Sequence, residues 1–148
     1  MINNTIARTQ FLMETSLERL LEISEEDFSK KADPGRWSKK EIIGHLIDSA
    51  TNNHHRFVRG QFEENVQISY DQNQWNTAGH YQDIDSAQLI QFWIFYNRQL
   101  IELWRNIPKE KMSNTIYAGG ATPLTLEFLI QDYVEHLEHH LKQLHVLK

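Results

Sequence analysis

Three histidines in two distant segments have the residue type and spacing of a metal site. His136 and His140 are four residues apart in DYVEHLEHHLKQLHVLK, and His45 lies far upstream in RWSKKEIIGHLIDS. On a helix, side chains at i and i+4 lie about 5–6 Å apart at Cβ, so both rings of the pair can reach one ion. Zinc prefers imidazole nitrogens at roughly 2.0–2.1 Å, and nickel, copper and iron bind the same group. The residue types therefore predict a metal centre but do not determine which metal it binds.

The number of protein ligands separates a structural centre from a catalytic one. Structural zinc sites close with four protein ligands, whereas catalytic sites have three and leave a position open to water or substrate. Asp71 or His80, in the long connection between the second and third helices, would close the site if either reached it. Asp48 and Asp132 each lie one turn from a candidate ligand and can orient an imidazole ring. Protons should compete for unperturbed imidazoles near pH 6.5, so metal affinity should fall through that region.

The other histidines and several aromatic residues have alternative interpretations. Four histidines are predicted to be exposed, because they are adjacent to one another, lie in the long connection or point away from the pair: His54, His55, His80 and His139. Three aromatic residues either wall a pocket beside the open metal position or simply pack into the core: Trp37, Trp75 and Tyr70.

Composition excludes several classes of function. The chain has no cysteine, so it has neither disulfides nor a cysteine nucleophile, and any thiol chemistry would need an external thiol. Its net charge of −5 and scattered basic residues argue against nucleic acid as a partner. The Glu-x-x-His pairs of di-iron bundles and the H-E-x-x-H motif of zincins are also absent. A small-molecule substrate is compatible with these exclusions.

The 148 residues fit one domain, so we expect residues 1–148 to form a single unit around one core. No apolar run approaches the roughly 20 residues of a membrane span. The start, MINNTIARTQ, is too polar for a signal peptide, and we therefore expect a cytoplasmic location.

Four segments have helical periodicity, and no segment shows a convincing strand alternation. The first helix is predicted from about residue 4 to residue 24. The second starts at the capping box formed by Ser38 and Glu41 and ends near Gly60. Asp85 starts the third, which ends before Pro108, and the fourth starts near Thr125.

The spacing of apolar residues and the connection lengths predict an all-α four-helix bundle. The third helix has its stripe at Leu89, Trp93, Tyr96, Leu100, Leu103 and Ile107. The fourth has its stripe at Leu126, Ile130, Tyr133, Leu137, His140, Leu144 and Leu147, which puts a histidine in the core. About 24 residues separate the second and third helices, so these two are predicted to run parallel through a crossover. Antiparallel packing of the second and fourth helices would bring His45 and His140 to one depth, each roughly 10 Å from a helix end.

These motifs resemble those of the DinB-like superfamily of metal-binding four-helix proteins. RWSKKEIIGHLIDS matches the family's W-S-x-x-E-hydrophobic-x-x-H-L start of helix two, carried here by Trp37, Ser38, Glu41, His45 and Leu46. The segment TLEFLIQDYVEHLEHHLKQL matches its H-x3-H-x2-Q signature, carried by His136, His140 and Gln143. ISYDQNQWN resembles the Y-D-Q stretch of one branch, carried by Tyr70, Asp71 and Gln72. The similarity spans the chain from about residue 34 onward.

The resemblance implies an up-down-down-up bundle with a zinc- or nickel-type ion on the three histidines, and frequent homodimers. Family members include transferases that use thiols such as bacillithiol or mycothiol, one of them an isomerase. The favoured hypothesis is a metal-dependent thiol transferase or hydrolase acting on an electrophilic small molecule. A second hypothesis is a binding or stress-response module without turnover, in which the ion fastens two helices together. A third is a plain bundle without metal.

Overall fold

The computed structural model describes residues 1–147, and four long helices form most of it. These are α1 (Ile2–Glu22), α3 (Lys39–Arg59), α5 (Ser86–Asn106) and α6 (Leu126–Gln143). Two shorter helices, α2 (Glu25–Ser29) and α4 (Gln72–Gly79), lie in the connections, as do 3₁₀ turns at Tyr81–Asp83 and Lys109–Lys111. The two-residue strands β1 (Thr115–Ile116) and β2 (Leu124–Thr125) pair in antiparallel fashion before α6.

Local capping chemistry explains where the long helices begin. At α3, the Ser38 hydroxyl accepts from the Glu41 amide while the Glu41 carboxylate accepts from the Ser38 amide, so the predicted capping box is confirmed. Side chains of Asp85 and Thr125 cap α5 and α6 in the same way. The first helix starts and ends two residues earlier than predicted. The short elements α2, α4, β1 and β2 were not predicted, because segments this short lack a measurable period.

Contacts between helix ends establish that α3 and α5 run parallel. The Glu25 carboxylate forms an ion pair with Lys40 at the start of α3 and accepts a hydrogen bond from the Ser86 amide at the start of α5. One side chain therefore holds both helix starts together. The predicted long crossover between these helices is confirmed, and α4 lies within it.

The other two long helices run in the opposite direction. Gly60, after the end of α3, packs against Leu126 at the start of α6, so α3 and α6 are antiparallel. Arg19, near the end of α1, donates to the Leu147 carbonyl beyond the end of α6, so α1 and α6 are parallel. The order α1, α3, α5, α6 is therefore up-down-down-up, as predicted. No helix within residues 1–147 has the length and apolar content needed to cross a membrane.

The buried faces of α5 and α6 are wider than the predicted stripes. On α5, Tyr96 and Leu103 are only partly buried, while Ile94, Ile101 and Trp104 are buried beside the predicted positions. On α6 the core continues from Leu137 to Leu141 and Leu144. A strict alternation of four and three drifts away from a 3.6-residue period, so His140 lies at the edge of the core and its predicted core position was wrong.

Candidate metal centre

Three imidazole nitrogens converge where the start of α3 meets the end of α6. The Nε2 atoms of His45 and His136 are 3.0 Å apart, and those of His136 and His140 are 3.1 Å apart. All three ligand atoms lie within 4.8 Å of one another. A tetrahedral ion with bonds of roughly 2.0–2.1 Å separates its ligand atoms by about 3.3 Å, so small ring movements would fit the cluster to such an ion.

The three rings are neutral at physiological pH, which is the form that binds a metal. Burial, and then the neighbouring His136 and His140, lower the pKa of His45 to about 3. Burial and the nearby His140 and His139 lower the pKa of His136 to about 4. Burial also lowers the pKa of His140. Proton competition for a metal in the folded site is therefore shifted below the pH of 6.5 expected for unperturbed imidazoles.

A neighbouring amide fixes the orientation of one of these rings. His140 Nδ1 lies 2.7 Å from Gln143 Oε1. Because an amide oxygen only accepts, Nδ1 carries the proton and Nε2 presents its lone pair to the cluster. Hydrogen bonds of this kind set the tautomer of metal-binding histidines. Gln143 therefore acts on the centre through His140.

His45 is the most buried of the three, at 1% exposed, and its Nδ1 has no partner among residues 1–147. Its ring lies 4.8 Å from the half-buried Trp37 ring, which walls this side of the cluster. Asp48, one turn along α3, bonds to the Tyr81 hydroxyl rather than to His45. Asp132 is exposed and makes no hydrogen bond with His136. Neither aspartate makes a hydrogen bond with a ring of the cluster.

Neither candidate for a fourth protein ligand lies in the cluster. The Asp71 carboxylate caps α4 by accepting from the amides of Asn73 and Gln74, both at 3.0 Å. His80 is exposed, with a left-handed backbone between α4 and the following turn. Within residues 1–147, the only grouping of three or more potential ligands is the three histidines. This is the ligand count of a catalytic centre with an open position.

Exposure of the remaining histidines was predicted correctly in three cases. His55, His80 and His139 are exposed. The prediction was wrong for His54, which is half-buried, because its Nδ1 lies 3.0 Å from the Tyr96 hydroxyl on the parallel helix α5. That contact depends on the packing of two helices and leaves no sign in the local sequence.

A cavity of about 500 Å³ lies between α3 and α4, and one of its lining residues, Asp48, follows His45 by three residues on α3. Its lining residues are Asp48, Gln74, Trp75, Ala78, Gly79 and Tyr81. The Tyr81 ring lies directly against the backbone of Gly44, where a Cβ would come within 2.1 Å of it, so glycine is required at that position. Tyr70 extends the aromatic wall, with its ring 5.9 Å from that of Trp75.

Sequence reasoning missed Tyr81. Its hydroxyl donates to Asp48 Oδ1, a contact between residues 33 positions apart. The only signal was its place in the same connection as the Y-D-Q stretch. Burial and the nearby Asp48 carboxylate raise the pKa of Tyr81, so its hydroxyl remains a donor.

Several solved structures share this fold. One is YfiT from Bacillus subtilis, described as a probable metal-dependent hydrolase with an unusual four-helix bundle topology. Its TM-score is 0.82 at 21% identity, with 95% of this chain and 81% of YfiT covered. A mycothiol-dependent maleylpyruvate isomerase matches with a TM-score of 0.80 at 10% identity, covering 96% of this chain and 60% of the isomerase. A variant of that isomerase matches equally well. At these identities the similarity establishes the fold alone.

Sequence comparison gives the family. None of the curated protein sequences matches this chain significantly. The family model of the DinB superfamily matches residues 9–144, which include all four long helices in whole or in large part and the three clustered histidines. The chain therefore belongs to the DinB superfamily.

Proposed function

We propose that the chain is a metal-dependent enzyme that holds one divalent ion on His45, His136 and His140. In this proposal it activates a low-molecular-weight thiol, or water, for attack on an electrophilic small molecule. One observation carries the proposal: three neutral imidazoles converge, and no fourth protein ligand joins them within residues 1–147. Three protein ligands with an open position are the arrangement of catalytic sites.

The side chains around the cluster have separate tasks in this proposal. A bound divalent ion supplies a Lewis acid that favours the deprotonated form of a thiol or water. His140 is held by Gln143 in the tautomer that presents Nε2. Trp37 covers the His45 ring and limits the access of water. Asp48, Tyr81 and Gln74 form the polar part of the cavity between α3 and α4.

The thiol, if one is used, is a cosubstrate, because the chain contains no cysteine. The two fold neighbours support both versions of the reaction, since one is described as mycothiol-dependent and the other as a probable metal-dependent hydrolase. Zinc and nickel are the ions we propose, because the family resemblance implies a zinc- or nickel-type ion on the three histidines.

A specific observation favours the alternative, a metal-stapled module without turnover. The cluster joins the start of α3 to the end of α6, so a bound ion would fasten two antiparallel helices together. Ion binding to the folded state alone adds to stability by mass action. In that case metal would raise stability while every thiol and electrophile tested gave no turnover.

The deciding experiment measures metal content and reactivity in the parent and in two histidine variants. His140→Ala removes a proposed ligand, and His139→Ala is the matched control, an exposed histidine on the same turn of α6. We expect about one ion per chain in the parent and control and almost none in His140→Ala. The metal-loaded parent should then accelerate reaction of a thiol or water with an electrophile. A metal-free parent would overturn the proposal, and a loaded protein without turnover would support the stapled module.

Two further expectations remain proposals. We propose a homodimer, as the family resemblance implies, and sedimentation equilibrium would measure the mass directly. We also propose a cytoplasmic location, which a tagged chain followed by cell fractionation would test.

A further inference from the structure

We propose that the cavity between α3 and α4 recognises a primary ammonium group, with the Asp48 carboxylate as its charged partner. The cavity is lined by the residues named above, and the ammonium group would belong to a small-molecule substrate. Assigning that molecule to the metal centre rests on the proposed function, whereas binding of an amine in the cavity does not.

The first step of the argument is the state of the Asp48 carboxylate. The residue is only 3% exposed and lines the cavity. One of its oxygens, Oδ1, accepts from the Tyr81 hydroxyl, while Oδ2 is buried and has no partner among residues 1–147. No lysine or arginine within residues 1–147 forms an ion pair with it. A buried carboxylate without a full set of donors is costly, and a ligand ammonium would supply both the donor and the opposite charge.

The second step is the nature of the walls. Trp75 is 40% exposed, and the edge-to-face pair it forms with Tyr70 leaves an aromatic surface beside the cavity. Aromatic faces attract cations through their ring quadrupoles, and a carboxylate among aromatic residues is a typical environment for an ammonium group. A cavity of about 500 Å³ has the size of a small-molecule site.

The third step is the charge of the surroundings. Arg56 is the arginine next to the Tyr70 ring, with its guanidinium carbon 5.9 Å from the ring centroid. It donates to the Ile68 carbonyl at 3.1 Å and to Asn53 Oδ1 at 3.3 Å, so it is held away from Asp48. Burial raises the pKa of Asp48 to about 6, which leaves the carboxylate mostly ionised above neutral pH. The cavity therefore carries an uncompensated negative charge that favours cations and disfavours anions.

The fourth step is the position relative to the metal centre. Asp48 follows His45 by three residues on α3, so the two side chains share one side of the helix. A molecule whose ammonium group contacts Asp48 would extend along α3 toward the histidine cluster. The cavity would thereby select the substrate, while the histidines hold the ion.

The test compares three ligands of one shape and different charge: benzylamine, benzyl alcohol and benzoate. Calorimetric titration at pH 7.5 would use the metal-loaded protein. We expect benzylamine to bind at least tenfold more tightly than the other two. Asp48→Asn, which keeps the shape of the side chain, should abolish that preference. Asp132→Asn, an exposed aspartate on α6, is the matched control and should leave it unchanged.

A second variant keeps the test decisive if Asp48→Asn folds poorly. Trp75→Ala removes a partly exposed wall residue, and we expect it to weaken benzylamine binding several-fold without loss of metal. Equal binding of benzylamine and benzyl alcohol would overturn the inference. So would an Asp48→Asn protein that loses metal while keeping its preference for benzylamine, because Asp48 would then serve to orient His45.

His140→Ala separates this inference from the proposed function. If the variant loses its metal and still prefers benzylamine, the cavity is an amine site independent of the ion, as proposed. If the parent has no metal but shows Asp48-dependent amine binding, the proposed function fails and the inference holds. If metal is bound but none of the three ligands is preferred, the inference fails and the proposed function is unaffected.

Discussion

Two buried polar regions of this bundle differ in how completely the chain satisfies its own groups. In the core, the Tyr133 hydroxyl donates to Asn97 Oδ1 at 2.7 Å, and Asn97 Nδ2 donates to the Trp93 carbonyl at 2.8 Å. The Tyr133 hydroxyl and the Asn97 amide are therefore both satisfied within the chain. At the metal centre and the cavity, His45 Nδ1 and Asp48 Oδ2 are buried without a partner among residues 1–147. This second region has donors and acceptors whose partners must come from outside it.

Unpaired buried atoms alone do not mark a site. The indole nitrogens of Trp93 and Trp104 are also buried without partners, and Phe57 and Tyr133 pack around the Trp104 ring. An indole can neither change charge nor bind a metal, and neither tryptophan lines the cavity beside α4. Missing hydrogen bonds therefore do not distinguish the two regions. The metal centre and the cavity differ from the core because their unpaired atoms belong to ionisable groups.

The largest expected effect comes from the core. Trp104→Ala removes a side chain that is 1% exposed, and we expect a loss of about 3–5 kcal/mol in the free energy of unfolding. Urea titration would measure it. Trp75→Ala, at the cavity, is the matched tryptophan variant and should cost much less. Comparable losses in the two variants would contradict the conclusion that Trp104 supports the core while Trp75 only lines the cavity.

Removal of metal should affect stability next most strongly. A ligand present at 100 times its dissociation constant stabilises the folded state by about 2.7 kcal/mol. We therefore expect a chelator to lower the unfolding temperature of the metal-loaded parent and of His139→Ala. The unfolding temperature of His140→Ala should not respond. A parent that melts identically with and without chelator would support the hypothesis of a plain bundle.

Removing one hydrogen bond in each region tests whether the core and the cavity differ in how strongly such a bond stabilises the fold. Tyr133→Phe leaves Asn97 Oδ1 buried without its donor, so we expect it to cost about 1–3 kcal/mol. Tyr81→Phe removes the donor to Asp48 at the cavity, where water can replace it, and should cost less. Urea titrations of both variants would check the order. A larger loss for Tyr81→Phe would show that the Asp48 contact is mainly structural.

Lowering the pH should gradually reduce the folding stability of the protein when a chelator keeps it free of metal. In the unfolded chain, histidines bind protons near pH 6.5. In the folded chain, the pKa of His45 is lowered to about 3 and that of His136 to about 4, so both rings stay neutral to a lower pH. Stability should therefore fall as the pH is lowered from 6.5 toward 4. Asp48 opposes this, because its folded pKa of about 6 exceeds the unfolded value of 3.8, so the folded state gains a proton in the same range.

Asp48→Asn should therefore make the acid loss of stability steeper than in the parent. Urea titrations at pH 7, 5.5 and 4.5 in the presence of chelator would measure both proteins. A parent whose stability is constant across this range would contradict the neutral state of the buried histidines.

Much of the fold could be predicted because its signals are local. The caps at Ser38, Asp85 and Thr125 each act within three residues, so the sequence locates the starts of three long helices. The long crossover was predicted from the length of the connection between the second and third helices. By contrast, α4 was missed, because its cap at Asp71 has no sustained apolar period after it.

The sequence by itself determined the four-residue pair of His136 and His140, because helical geometry alone puts the two on one face. The sequence also singled out His45 as a third candidate ligand, but only the packing of α3 against α6 brings its Nε2 to 3.0 Å from that of His136, a residue 91 positions away. The tertiary structure also placed His140 at the edge of the core and brought Tyr81 to Asp48. Helix period and capping depend on near neighbours, whereas these contacts depend on how α3, α6 and the crossover pack, and no local pattern encodes that.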